Sequence, residues 1–217
     1  MKEGLEILAP AGDVETAIAA ADAGANAVYF GLANFNARRR ASNINFDMLP
    51  ELVKNLHSKG VKAYLAMNTD ISQRELAEAA RYYAFAKSVG VDALIVKDLC
   101  FFVFRKYIGE IPFHISTQAA LSTSSGAKFA RELGASRVIL AREMSAEEVK
   151  AAAAVEGIDI EIFVQGAMCF SVSGRCMLSS WIGGRSGNRG LCASPCRMEW
   201  NGGGGMSRLM SMKDMSL

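Results

Sequence analysis

The chain has 217 residues, 51% of them apolar and 21% charged, with a formal net charge of +2. That length and apolar content suit one large buried core, so a single domain is the starting expectation. Near-neutrality excludes a generic electrostatic nucleic-acid binder, and no apolar run approaches the roughly twenty residues of a membrane span.

Residues 5–9 form a short apolar run closed by Pro10 and Gly12, after which Asp13 is placed to cap a helix over 13–23 that ends at Gly24. Residues 27–31 read as a strand, 47–58 as a helix stopped by Gly60, and 61–68 as a third strand. The third helix covers 72–89, with Glu75 and Glu78 early in it, where carboxylates complement the helix dipole. A fourth strand over 93–98 leads into residues 99–107, a helix apolar on too many sides to lie exposed. Residues 112–117 are the fifth strand, followed by a helix over 124–133 and a sixth strand over 137–142. An Ala-rich helix over 145–155, capped by Ser145 and stopped by Gly157, precedes a seventh strand over 160–165. The phrases GANAVYF, GVDALIV and GASRVIL recur at helix-to-strand junctions.

Seven alternating units call for a parallel sheet covered by helices. The turn after the first strand, APAGD, lacks the Gly-x-Gly-x-x-Gly fingerprint of an open dinucleotide fold. The remaining chain is different in character. Cys169, Cys176, Cys192 and Cys196 are concentrated there, residues 163–198 contain no Asp or Glu, and Arg175, Arg185, Arg189 and Arg197 are spread among six glycines, Gly166, Gly174, Gly183, Gly184, Gly187 and Gly190. Thiolates are soft ligands for iron-sulfur clusters, zinc or copper(I), and positive surroundings favour the deprotonated sulfur. Glycines let backbone N–H groups approach sulfur or an anion. Structural zinc competes with a cluster, although only Cys192 and Cys196 have the tight spacing of a zinc knuckle. Disulfides are disfavoured in a chain that reads as cytoplasmic, with no recognisable secretory leader. Four unrelated buried thiols do not suit so polar a segment.

The run GAMCFSVSGRCMLSSWIGGRSGNRGLCASPCR resembles the signature segment of the peptidase U32 family, the collagenase-like proteases. LEILAPAGDVETAIAAADAGANAVYFGL near the N-terminus, and HISTQ, VILARE and FVQGAMC further on, are similar to other parts of that family. The resemblance implies an α/β fold of the TIM-type (β/α) barrel, here truncated before strand 8, with the Cys-rich loop 166–200 following strand 7. On that reading residues 1–200 are the barrel domain, and 201–217 begin a C-terminal region that is missing. A barrel cut there would expose apolar edges.

Family relatives are linked to oxygen-independent hydroxylation of a transfer or ribosomal RNA base, or of a ubiquinone precursor, with a cysteine-held cluster. Carried over to this chain, the resemblance implies a 4Fe-4S cluster on Cys169, Cys176, Cys192 and Cys196, with zinc as the alternative. The partners it implies are RNA or a small carboxylate-bearing substrate, with no membrane. In such barrels the chemistry sits at the C-terminal strand ends. The catalytic candidates there are Asp98, His114, Ser116, Gln118 and Glu143. Asn68, Gln165, Arg185 and Arg189, with Arg38, Arg39 and Arg40 after strand 2, are the candidate substrate-binding residues. Each has a plain alternative as a strand-end hydrogen bond, a cap or a solvated loop. His57 suits a helix C-terminus, and Cys100 suits a core.

Two further functions stay open at this point. A peptidase would need either His-Glu-x-x-His, which is absent, or a nucleophile beside His114, for which no motif speaks. A non-catalytic RNA-binding module with a structural metal is the other.

Overall fold

The computed structural model describes residues 4–39, 42–166, 169–198, 200–201 and 208–209. Arg40, and most of 201–217, lie outside the described residues.

Seven strands, β1 (Leu8–Ala11), β2 (Ala27–Gly31), β3 (Lys62–Met67), β4 (Ala93–Val96), β5 (Phe113–Ile115), β6 (Arg137–Ile139) and β7 (Asp159–Glu161), pair in sequential order. Every pairing between them is parallel. Helices α1 (Val14–Asp22), α2 (Leu49–Ser58), α3 (Leu76–Ser88), α4 (Cys100–Ile108), α5 (Ser124–Glu132) and α6 (Ala146–Ala153) alternate with them. The caps are local and readable. Asp13 accepts from the Thr16 amide at 2.8 Å, and Ser145 and Glu148 form a reciprocal capping box.

Side-chain alternation splits each strand between two cores. On β3, Ala63, Leu65 and Met67 enter the layer under the helices, where Tyr83, Phe101 and Phe113 are fully buried. Tyr64 and Ala66 face the other way, into a smaller cluster with Ala27, Ala93, Ile95 and Ile139. This second face is concave. Glu6, just before β1, lies 2.6 Å from Arg137 on β6 and accepts from the Tyr64 hydroxyl on β3 at 3.0 Å. One carboxylate can meet side chains from β3 and β6 only if the sheet curls around it. The fold is therefore the expected truncated TIM-type α/β barrel of seven parallel strands.

Several boundaries move. The first strand starts at Leu8 rather than Leu5, and β6 and β7 end at Ile139 and Glu161, short of the predicted ends. The second and third helices each begin with a 3-10 turn, Phe46–Met48 and Gln73–Glu75. A short helix, α7 (Leu178–Gly183), lies within the Cys-rich loop, and β8 (Trp200–Asn201) pairs antiparallel with β9 (Arg208–Leu209). No helix among the described residues is long and apolar enough to cross a membrane.

Candidate active site

The Cys-rich loop is strapped across the C-terminal ends of four strands. After β2, the Asn36 carbonyl packs against Gly190, where an added Cβ would lie 2.0 Å from that oxygen. After β3, the Asp70 amide donates to the Asn188 carbonyl at 3.1 Å, while Arg189 donates to the Asp70 carbonyl at 3.0 Å and pairs with Glu75. After β5, Gly174 crosses the Gln118 carbonyl so closely that a Cβ would sit 1.8 Å from it. After β6, Glu143 accepts from the Ser173 amide at 3.0 Å and its hydroxyl at 2.8 Å. Gly174 and Gly190 also have φ of 70° and 75°, so both sites call for glycine on two counts.

These tethers give several candidate residues a definite place. Glu143 holds fully buried Ser173, and the Ser173 hydrogen bonds outweigh burial in keeping its carboxyl below the usual range. Arg189 clamps the loop to the end of β3 through Asp70, and its separate hydrogen bond to Glu75 holds that carboxyl down to about 2. Asp98 accepts from the Ile71 and Cys100 amides, both at 2.9 Å, bracing the ends of β3 and β4 against each other. Asn68 donates to the Ser116 hydroxyl at 3.2 Å and accepts from the Ala37 amide at 2.8 Å, and Ser116 also accepts from the Gln118 amide.

His114 lies deeper, on the concave face, 5% exposed with its ring edge-on to Tyr64 at 4.6 Å. Burial pushes its pKa down to about 3, and neighbouring Arg137 pushes the same way. Its Nδ1 atom is buried with no hydrogen-bond partner among the described residues. As a neutral ring it is set to donate or accept, not to carry charge. Arg38 and Arg39 are exposed in the turn after β2, Arg39 lining a small pocket with Glu75, Glu78 and Arg189. Gln165 and Arg185 are exposed on the loop side.

The thiols gather on the strapped loop. Cys169 and Cys192 are exposed, and Cys176 and Cys196 are partly buried. Burial pushes the Cys196 thiol up, and the nearby sulfurs of Cys169 and Cys192 add to the push. Three of the four therefore share one neighbourhood. The Ser194 amide donates to the Cys192 sulfur at 3.3 Å, and the Phe170 amide donates to that of Cys196. Soft donors with backbone N–H groups aimed at them, in an acid-free segment, suit an iron-sulfur cluster in kind. Among the described residues no three His, Cys, Asp or Glu side chains are already arranged to hold a metal ion. Closing the sphere requires these sulfurs to draw together. The fifth cysteine, Cys100, stands apart at the start of α4, where burial and adjacent Asp98 hold its thiol far above the ordinary range.

Beside the loop an open cleft of about 590 Å³ is lined by polar Lys97, Asp98, Gln118 and Arg175 together with apolar Ile115 and Phe129. Lys97 is paired with Asp70 at 2.8 Å. The cleft was not legible in the sequence, because its walls come from segments between residues 70 and 175 that only the fold brings together.

Comparison with known proteins agrees with this architecture. The chain is 38% identical over 217 residues to the 23S rRNA 5-hydroxycytidine C2501 synthase of Escherichia coli (strain K12), covering 97% of this chain and 33% of that protein. It is 36% identical over 198 residues to tRNA hydroxylation protein P of the same organism, covering 90% of this chain and 44% of that one. The chain thus spans under half the length of either curated relative. A solved U32 peptidase structure shares the fold, with a TM-score of 0.57 at 16% identity over 75% of this chain and 69% of its own. The model of peptidase family U32 matches residues 12–217. On the strength of that match and of these relatives, the chain belongs to peptidase family U32.

Proposed function

We propose that this chain is the cluster-bearing part of an enzyme that hydroxylates an RNA base without molecular oxygen. The observation that carries the reading is the Cys-rich loop strapped over the strand ends of a barrel whose relatives are named for rRNA and tRNA hydroxylation. Cys169, Cys176, Cys192 and Cys196 would hold a 4Fe-4S cluster. When bound, such a cluster supplies electron transfer and, at an open iron, a binding position. The protein's own part is positioning. The tethers from Asn36, Asp70, Gln118 and Glu143 fix the loop, and the cleft beside it is within the size range that encloses a small ligand or nucleoside. Gln118 in its lining offers hydrogen-bonding groups to a base edge, and Arg175 offers a cation to a phosphate.

The family description favours proteolysis less well at the residue level. His114 is buried and packed on Tyr64, and the Ser116 hydroxyl already serves Asn68 and Gln118. A nucleophile and base pair would need both groups free.

The test is nucleoside mass spectrometry of rRNA and tRNA from cells with and without the full-length protein. Loss of one hydroxylated nucleoside, restored by the wild-type gene and not by the variant with all four loop cysteines replaced by serine, is the expected result. Identical nucleoside profiles with and without the protein would refute the reading.

A further inference from the structure

The outer surface of the Cys-rich loop carries large apolar side chains that the barrel does not use. On α7, Trp181 is 78% exposed and its neighbour Ile182 is 53% exposed. Such a patch on an ordered element calls for a partner. The platform is held rigidly: buried Ser179 accepts from the Ala193 amide at 3.0 Å, and its carbonyl accepts from the Arg185 amide at 3.1 Å. Helix α7 is thereby tied to the stretch that bears Cys192 and Cys196.

The charge of the loop itself is one-sided. Arg175 and Arg185 are exposed, neither forms a salt bridge among the described residues, and residues 163–198 contain no carboxylate. A ligand that complements exposed aromatic faces and unpaired guanidinium groups together has flat π surfaces joined by negative charges. Single-stranded RNA has that chemistry, and aromatic stacking of its unpaired bases is the usual mode of recognition. A duplex keeps its base faces stacked and out of reach of an aromatic side chain.

We infer that Trp181 is a stacking platform for an unpaired base of the RNA substrate, with Arg175 and Arg185 contacting the neighbouring phosphates. This rests on the RNA reading above and specifies the form in which RNA is bound: an unpaired segment laid across α7, beside the thiols.

The test uses full-length protein purified without oxygen, with a short fluorescently labelled RNA oligonucleotide as probe, single-stranded and then annealed to its complement. Trp181→Ala is expected to weaken single-strand binding by about tenfold or more, with Trp181→Phe keeping most of the affinity. Arg185→Gln is expected to lower the salt dependence of binding by roughly one phosphate contact for both probes. Circular dichroism and iron content matching wild type show that the variants are folded. Single-strand affinity of Trp181→Ala within about twofold of wild type, well below what a stacked base is worth, would overturn the inference. So would a Trp181 that a soluble quencher cannot reach before RNA is added, since another protein surface would then cover the patch. If Trp181→Ala is neutral while nucleoside analysis still shows protein-dependent hydroxylation, only this inference fails. If no nucleoside depends on the protein, the proposed function fails, whatever the oligonucleotide does.

Discussion

Glu6 is the residue that joins the two ends of the curled sheet, and neutralising it should cost the fold a measurable amount. Its side chain is 20% exposed and pairs with Arg137 at 2.6 Å and Lys62 at 3.0 Å, while Tyr64 donates to it as well. Burial alone would raise its pKa, but these partners more than reverse that and hold the carboxyl at about 2, against an ordinary 4.5. At about 1.4 kcal/mol per pKa unit, the ionised carboxylate contributes on the order of 3 kcal/mol at neutral pH. The sign follows from the depressed folded value. The contribution is complete above the unfolded pKa near 4.5 and is lost as pH falls from there toward 2. Glu6→Gln should therefore lower the melting temperature at pH 7 by about 6–12 °C for a domain of this size. The gap to wild type should stay constant down to about pH 5 and then narrow as wild type loses its advantage. Paired thermal and urea unfolding at pH 7, 5, 4 and 3 measures this. Two curves that stay parallel down to pH 3, or a gap under about 1 kcal/mol at pH 7, the usual worth of an exposed pair, would refute the reasoning.

His114, held down to about 3 by burial, should remain neutral across the physiological range. Its ring signals in a nuclear magnetic resonance titration should stay fixed from pH 8 to pH 5, and a midpoint near the ordinary 6.5 would contradict its placement. Because the unfolded chain binds that proton more readily, the buried ring should also add to acid destabilisation as pH falls below 6.5 toward 3. Gly174→Ala, which places a Cβ 1.8 Å from the Gln118 carbonyl oxygen, should release the loop. Tryptic cleavage after Arg175 and Arg185 should then rise several-fold with little loss of barrel stability, whereas unchanged cleavage would show that the loop is not strapped there. In metal-free protein, alkylation should reach exposed Cys169 and Cys192 first and Cys100 last, since burial beside Asp98 disfavours the Cys100 thiolate. Equal labelling of Cys100, read by peptide mass spectrometry, would contradict that order.

The barrel was legible because its strands are apolar, punctuated by glycine and evenly repeated, so that even Asp13 and Ser145 could be assigned as caps. Strand ends were less so. Residues 140–141 and 162–164 continue the apolar pattern past the last strand residue, yet Leu140 and Ala141 are buried while Ile162, Phe163 and Val164 are exposed, so an apolar run does not by itself mark where a ladder ends. The loop's cysteines and arginines were visible as a cluster of types, but what the loop is tied to was not. Arg189 reaches Glu75 across 114 residues, and Glu6 reaches Arg137 across 131. Polar residues at strand ends look alike in sequence whether they brace the scaffold, as Asp98 and Glu143 do, or face an open cleft, as Gln118 does. The helix carrying Trp181 was missed because its six residues are too few to show a helical period.

The most direct measurement of the central claim is iron and acid-labile sulfide content of full-length protein purified without oxygen, compared with the variant carrying serine at positions 169, 176, 192 and 196. The account predicts about four iron and four sulfide per chain in wild type and none in the variant. Zinc alone, or iron that survives loss of the four cysteines, would contradict it.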